Sequence, residues 1–197
     1  MHREFRQLER GIFVYPGSGW RRVFMKAPLI CWRLGLEPLL RAMRLIVITT
    51  RGRKSHRPRH AMLEHSVFDG RVYIAPGWGT RTQWYQNVCA DPRVTVQRNG
   101  RTYGAIARII TENSELAAVY HHAWGNSPVW TQFLDSWGVE DTLEDFLDKK
   151  ARIPFLRLDP VEGPPPLPPL KVDLWWIWPM LGFAAYAVWH LTRLGLA

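Results

Sequence analysis

Leu45-Ile46-Val47-Ile48-Thr49-Thr50-Arg51-Gly52-Arg53-Lys54-Ser55 joins an unbroken β-branched run directly to a basic, glycine-containing loop. Branching at Cβ suits the pleated surface of a sheet, and a continuous apolar run of this length fits a strand buried on both faces. Working outward, the runs 59–66 and 71–76 flank Asp69-Gly70, a two-residue hairpin signal. A second hairpin follows, with 93–97 and 102–110 joined across Asn99-Gly100. Between the hairpins, 82–90 reads as a short helix. Beyond them, 112–124 reads as a helix capped by Thr111, and 142–150 as another. Ile153-Pro154-Phe155-Leu156-Arg157-Leu158 is the last strand, an edge strand because of its proline. Six short strands with helices between them predict an α+β chain built as a small, mostly antiparallel barrel rather than a doubly wound sheet.

Around this domain, 45–160, the chain changes character. Residues 1–44 form an N-terminal segment whose apolar stretch 23–43 is interrupted by Lys26, Arg33 and Arg41, with Pro28 and Pro38 placed to start helices. Such amphipathic helices can rest on a lipid surface or close the end of a barrel. Leading into the linker 161–173, the run from Pro160 to Pro169 has six prolines in ten positions, the composition of an extended spacer of about 30 Å at ~3.1 Å per residue. The tail 174–197 opens with 19 residues, Leu174 to Thr192, free of Lys, Arg, Asp and Glu. As one helix they would reach roughly 28 Å, near the ~30 Å of a bilayer core. Four of the chain's 11 tryptophans lie there (Trp175, Trp176, Trp178, Trp189), so a C-terminal membrane-anchor helix is expected. The competing reading is a tail packed on a neighbouring subunit.

With 197 residues the chain can bury a core without disulfides, and 47% hydrophobic content excludes general disorder. Lys plus Arg number 26 against 17 acids, a net charge of +9 that favours an anionic ligand, a nucleic acid or a lipid surface. Cys31 and Cys89 have no zinc spacing and form no disulfide framework, as in a reducing compartment. Met1 to Arg10 is polar and lacks the apolar core of a signal peptide. The expected location is the cytoplasmic side of a membrane, anchored or peripheral, or otherwise the cytoplasm.

Three stretches can carry chemistry. Arg51 to Arg59 brings five cations in nine residues behind a buried strand, and Gly52 permits a turn that gathers backbone amides, guanidinium forks and the Ser55 hydroxyl on one anion. Ala75-Pro76-Gly77-Trp78-Gly79 stands at a strand end, where its glycines allow close approach to a heteroaromatic ring. Trp84-Tyr85-Gln86-Asn87 lies on the short helix, with Trp84 read as core and Asn87 as a brace for the loop.

Together these stretches resemble the deazaflavin-dependent nitroreductases. Thr49 to Ser55 is similar to that family's T-T-x-G-R-K-S signature, and 75–79, 84–87, 90–94 and 152–160 follow in its order. The resemblance implies a split β-barrel of the pyridoxamine-phosphate-oxidase-like flavin superfamily and binding of coenzyme F-420, a deazaflavin with a phosphodiester and an oligoglutamate tail. It places Arg53, Lys54 and Ser55 on the phosphate, Arg57 and Arg59 near it or the tail, and Gly77, Trp78, Gly79 and Trp84 about the ring. The implied activity is hydride transfer to an electron-poor acceptor such as a quinone or nitro compound. Two features depart from the pattern. His56 stands where the family usually has glycine, and 126–150 contains Trp130 and Trp137 but no tyrosine. Tyr120 and His121 are the nearest candidates for a proton donor.

Other readings were weighed. FMN is the alternative cofactor for such a barrel. A basic, aromatic-rich barrel can also bind nucleic acid, but this basic cluster is compact rather than a track. A carrier that binds the deazaflavin without turnover is another alternative. His56, His60 and His65 lack a shared face for a metal, and Ser18 lacks the strand-to-helix context of a nucleophile.

Overall fold

The computed structural model describes residues 26–123 and 130–193. Residues 1–25 of the N-terminal segment, Ser18 among them, as well as Trp124 and 194–197, lie outside the described residues.

Six strands, β1 (Leu45–Arg51), β2 (Pro58–Phe68), β3 (Arg71–Ile74), β4 (Arg93–Arg98), β5 (Arg101–Ile109) and β6 (Leu156–Val161), close into a barrel in the order β1-β2-β3-β6-β5-β4. Every neighbouring pair is antiparallel. Both hairpin turns take the left-handed backbone their sequences suit, with φ of 49° and 70° at Asp69-Gly70 and 51° and 73° at Asn99-Gly100. Strand alternation then sorts the side chains. Ile46, Ile48, Val72, Ile74, Val94, Val96, Leu156 and Leu158 fill the barrel. Each such side chain, fully buried, contributes about 1.5–3 kcal/mol.

Outward residues have their own cover. Val47 packs under Trp32 and Leu40, from helices α1 (Ala27–Arg33) and α2 (Glu37–Ala42), which makes β1 buried on both faces. Pro28 and Pro38 sit in the first turns of these helices, where a missing N–H costs nothing. On the opposite flank Tyr73 and Phe155 join a cluster with Leu116, Val119, Trp130, Leu134 and Phe146. These come from α4 (Asn113–Ala118), the π-turn Val119–Ala123, α5 (Trp130–Ser136) and α6 (Leu143–Asp148). The remaining inner helix, α3 (Gln83–Ala90), follows a 3-10 turn, Gly79–Arg81, and plugs the barrel with Trp84, Tyr85 and Val88.

Four expectations need correction. Thr111 does not cap α4; Glu112 holds the N-cap position without a side-chain bond. The last strand begins at Leu156, so Pro154 precedes it and Pro160 lies within it. Nor is it an edge strand: β6 lies between β3 and β5 in the closed barrel, and its proline, Pro160, falls beyond Leu158, where pairing with β3 ends. The proline-rich stretch is no spacer. Thr95 Oγ1 donates to Leu167 O at 2.7 Å and accepts from Leu167 N at 3.0 Å. Gln97 grips Leu170 in the same two-way manner, at 3.0 and 2.7 Å. Gly104 leaves room for the crossing, since a Cβ there would stand 3.1 Å from Pro166 Cδ.

The tail also differs. Its helix, α7, runs Ile177–Arg193 and Trp175 and Trp176 precede it in a turn. No helix among the described residues is long and apolar enough to cross a membrane.

Candidate functional site

The basic loop leaves β1 at Arg51 and re-enters the barrel at Pro58. Gly52 N–H donates to Arg57 O at 2.9 Å and His56 N–H to Gly52 O at 2.7 Å, closing a tight ring of backbone. Gly52 is buried, and a Cβ on it would fall 2.7 Å from Ser55 Oγ. Any side chain there would have to displace the Ser55 hydroxyl and crowd Arg57 O, 3.2 Å away. His56 has a φ of 54°, the left-handed conformation that glycine adopts freely. The departure from the family's glycine thus keeps the loop's shape at the expense of strain.

Asn87 locks this loop to α3. Its Oδ1 accepts from Arg53 N and from Arg53 Nη1, both at 3.2 Å, while its Nδ2 donates to Thr50 Oγ1 at 3.1 Å. Gln83 Oε1 takes a further bond from Arg53 Nη1 at 3.1 Å. The Thr50 hydroxyl passes the chain on to Arg59 O at 3.3 Å, and Arg59 Nη2 reaches Ser55 Oγ at 3.3 Å. Lys54, Ser55, Arg57 and Arg59 are exposed. Their charges face solvent while their backbone is held, an arrangement suited to gathering an anion.

Beside the loop opens a cleft of about 430 Å³ lined by Arg51, Arg53, His56, Ala90, Asp91, Pro92 and Arg93. Asp91 pairs with Arg93 at 2.9 Å and Arg51 at 3.3 Å. The hydrogen bond from Arg93, helped by the charge of Arg51, holds its carboxyl below the usual carboxylate range. Arg51 opens the basic run read from the sequence, whereas Asp91 and Arg93 were given no site role there; Asp91-Pro92-Arg93 at the end of α3 was the available signal.

The second loop, Ala75 to Gly79, is continuous with α3 through the 3-10 turn. Thr82 Oγ1 donates to Gly79 O at 3.0 Å and Gln86 Nε2 to Thr80 O at 3.0 Å. A single helix thus fixes both the anion-gathering loop and the glycine loop. Gly77 and Trp78 are partly exposed, whereas Gly79 is buried with a φ of 55°. Trp137 covers it: a Cβ on Gly79 would meet Trp137 Cη2 at 2.3 Å. Trp84 stands apart from this group, since it is buried in the barrel core.

Tyr120 packs in the helical cluster that also receives Ala75 and Trp137. Its hydroxyl donates to Asp141 Oδ1 at 2.9 Å. Burial and that carboxylate push its pKa up. His121 is exposed, and His122 stacks on Phe68 at 4.6 Å. Of the other histidines, His60 bonds Thr49 Oγ1 and His65 bonds Arg44 O, so the two serve different parts of β1 and its approach.

These residues suit a cofactor with an acidic arm and a flat ring. The Gly52 cradle, the four exposed side chains after it and the arginine cleft complement phosphodiester and carboxylate groups. Gly77 and Trp78, partly exposed, are the part of the glycine loop open to a ring, while the indole of Trp137 fills the space over Gly79 and its Nε1 is buried without a hydrogen-bond partner among the described residues.

Comparison with known proteins follows from this geometry. No protein of curated function matches the chain. Solved structures that are similar include an F420-H2 dependent reductase (FDR-A), at 22% identity over 59% of this chain and 94% of that one, with a TM-score of 0.45. A conserved hypothetical protein from Mycobacterium tuberculosis shares 16% identity over 65% of this chain and 79% of its own, with a TM-score of 0.43. A FAD-binding protein from Mesorhizobium loti shares 19% over 66% and 89%, with a TM-score of 0.41. The assignment rests on none of these. Residues 36–137, more than half of the chain, match a family model, and the chain belongs to the F420H(2)-dependent quinone reductase family, as an F-420-dependent oxidoreductase of split-barrel fold.

Proposed function

We propose that this protein passes reducing equivalents from reduced F-420 to a quinone at a membrane surface, on the cytoplasmic side. The observation that carries the reading is the mounting of two loops on one helix. Asn87 and Gln83 hold the basic loop, while the 3-10 turn leads the glycine loop into the same helix. When bound, the coenzyme supplies a hydride from C5 of its deazaflavin ring.

The protein's residues then have distinct tasks. Arg53, Lys54 and Ser55 hold the phosphodiester, with Arg57 and Arg59 beside it or along the acidic tail. Gly77, Trp78 and Gly79 border the ring, and Trp137, resting on Gly79, shields that place from water. Reduction of a quinone also requires protons. Tyr120, protonated at neutral pH like any phenol and with its pKa pushed further up by burial and Asp141, is the candidate donor, and it shares a cluster with Ala75 of the glycine loop. The family's activity favours a quinone over a nitro compound as acceptor, and an apolar quinone suits a protein that carries an exposed apolar tail.

Titration with oxidised F-420, followed by fluorescence with FMN in parallel, tests the cofactor. Saturable F-420 binding at micromolar or tighter affinity is expected, with weak FMN binding. Single-turnover mixing with a menaquinone analogue should then oxidise the reduced coenzyme. Binding without oxidation of any quinone offered would identify a carrier instead, and preference for FMN would overturn the reading.

A further inference from the structure

We infer that the arginine cleft beside the basic loop is a subsite for the coenzyme's acidic tail, in which Arg51 and Arg93 take glutamate carboxylates, so that this protein distinguishes coenzyme molecules by their tails. The inference rests on the F-420 reading above and adds which residues meet the tail.

Charge comes first. Arg51, Arg53 and Arg93 line the cleft against a single carboxylate, Asp91. That carboxylate is largely spent on Arg93. Its Oδ1 accepts from Arg93 N at 3.2 Å and from Arg93 Nε at 2.9 Å, and its Oδ2 accepts from Arg93 Nη2 at 3.0 Å. Arg51 stands 3.3 Å from Oδ2 as an ion pair, yet its Nε–H is buried without a hydrogen-bond partner among the described residues. Arg51 is thus matched in charge but not in hydrogen bonding, and its side chain is 42% exposed. Its planar fork suits a two-pronged bond to a carboxylate. Arg51 ends β1 and Arg93 begins β4, strands that pair with each other, so the barrel itself sets the distance between the two forks.

Size and lining favour the tail over a single phosphate group. The cleft holds about 430 Å³, within the ~300–1,000 Å³ of small-molecule sites and more than one phosphate fills. Ala90 and Pro92 add apolar wall between the cations. A run of glutamyl units likewise sets methylenes between its carboxylates. The cleft also shares residues with the loop assigned to the phosphodiester, because Arg53 and His56 line both. Arg53 is fixed there through Nη1 by Asn87 and Gln83. Arg51 fills the position that the T-T-x-G-R-K-S pattern leaves open, so its task comes from the structure and not from the signature.

The test measures affinity by fluorescence for two forms of F-420 at one ionic strength, one with several glutamates and one from which the glutamates have been removed. The long-tailed form should bind the wild-type protein about tenfold tighter. Arg51→Gln and Arg93→Gln should each reduce that ratio to about threefold or less, with circular dichroism unchanged. Should they fail to fold, Asp91→Asn gives a second route: it removes the resident negative charge, keeps an acceptor for Arg93 and should widen the ratio. Lys54→Ala, which acts on the phosphodiester, should weaken both forms alike. Equal binding of the two forms by the wild-type protein would overturn the inference and leave the F-420 reading standing. So would a narrower ratio in Asp91→Asn, or arginine variants that keep the full ratio. Arginine variants that weaken both forms equally would assign the cleft to the phosphodiester and overturn it as well. Binding of neither form would overturn the F-420 reading itself, and this inference with it.

Discussion

The indole of Trp137 occupies the space where a side chain on Gly79 would have to go, with Cη2 2.3 Å from the position of its Cβ. Gly79→Ala therefore meets two penalties, a left-handed backbone at φ 55° and a collision with the ring. Together these should cost about 3 kcal/mol. In a Trp137→Ala background the same change should cost only about 1–2 kcal/mol, the backbone share. Urea unfolding of the four proteins gives the coupling. Equal costs in both backgrounds would mean that Trp137 is not seated firmly on the glycine loop.

Asn87 joins the end of β1 to the basic loop through bonds to Thr50 and Arg53, and it is buried. Asn87→Ala should lower stability by about 2 kcal/mol, because it leaves buried polar groups unmatched. F-420 affinity should fall with it as Arg53 comes loose. Asn87→Asp keeps an acceptor for Arg53, so its affinity should be closer to wild type. Affinities equal to wild type in the alanine variant would show that the cofactor does not depend on this loop.

Lys54 is exposed, so Lys54→Ala should leave the denaturation midpoint unchanged. Its removal should weaken F-420 binding by about tenfold or more and flatten the dependence on salt, as expected for loss of a charge-assisted phosphate contact. Unchanged affinity in a fluorescence titration would place the phosphate elsewhere.

His56 carries its side chain into solvent at a φ of 54°. His56→Gly should relieve about 1 kcal/mol of backbone strain. A higher thermal midpoint with F-420 binding retained is the expected outcome, and a lower midpoint would refute the strain.

His65 couples stability to pH. Its Nδ1 lies 2.6 Å from Arg44 O, and Arg98 Nε donates to its Nε2 at 2.8 Å, which requires a neutral ring. Burial first, then the charges of Arg98 and Arg44, lower its pKa to about 4, against the bond to Arg44 O. The unfolded chain takes up the proton near pH 6.5 and the folded protein only near 4, so this stability is complete above 6.5 and lost as pH falls through that window. Between pH 7 and pH 5 the loss should be about 2 kcal/mol. Urea unfolding of wild type and His65→Gln at both pH values measures it; an equal loss in the variant would assign the dependence to other groups.

Where local chemistry alone decides conformation, the sequence was a sufficient guide. Asp69-Gly70 and Asn99-Gly100 favour the left-handed turn wherever they stand, so both hairpins could be placed before any contact was known. The run from Leu45 to Thr50 revealed burial on both faces because each of its alternating sides is apolar or hydroxyl-bearing. The motif order around Arg53-Lys54-Ser55 and Gly77-Trp78-Gly79 likewise led to the cofactor.

Contacts made only when the barrel closes were beyond such a reading. Nothing local tells that Thr95 and Gln97 will grip Leu167 and Leu170, which turned an expected spacer into a strap. Nor does it tell that Asp91 will gather Arg51 and Arg93 beside the basic loop, or that Trp137 will settle on Gly79. The tail shows both sides. Its apolar character was plain from residue types, which fix the free energy of transfer from water. Where its helix begins was not, because bonds to Arg33 and Leu34 hold its first residues to the barrel and the helix starts only at Ile177. Residue type sets local preference and hydrophobicity; which distant groups meet depends on closure of the whole chain.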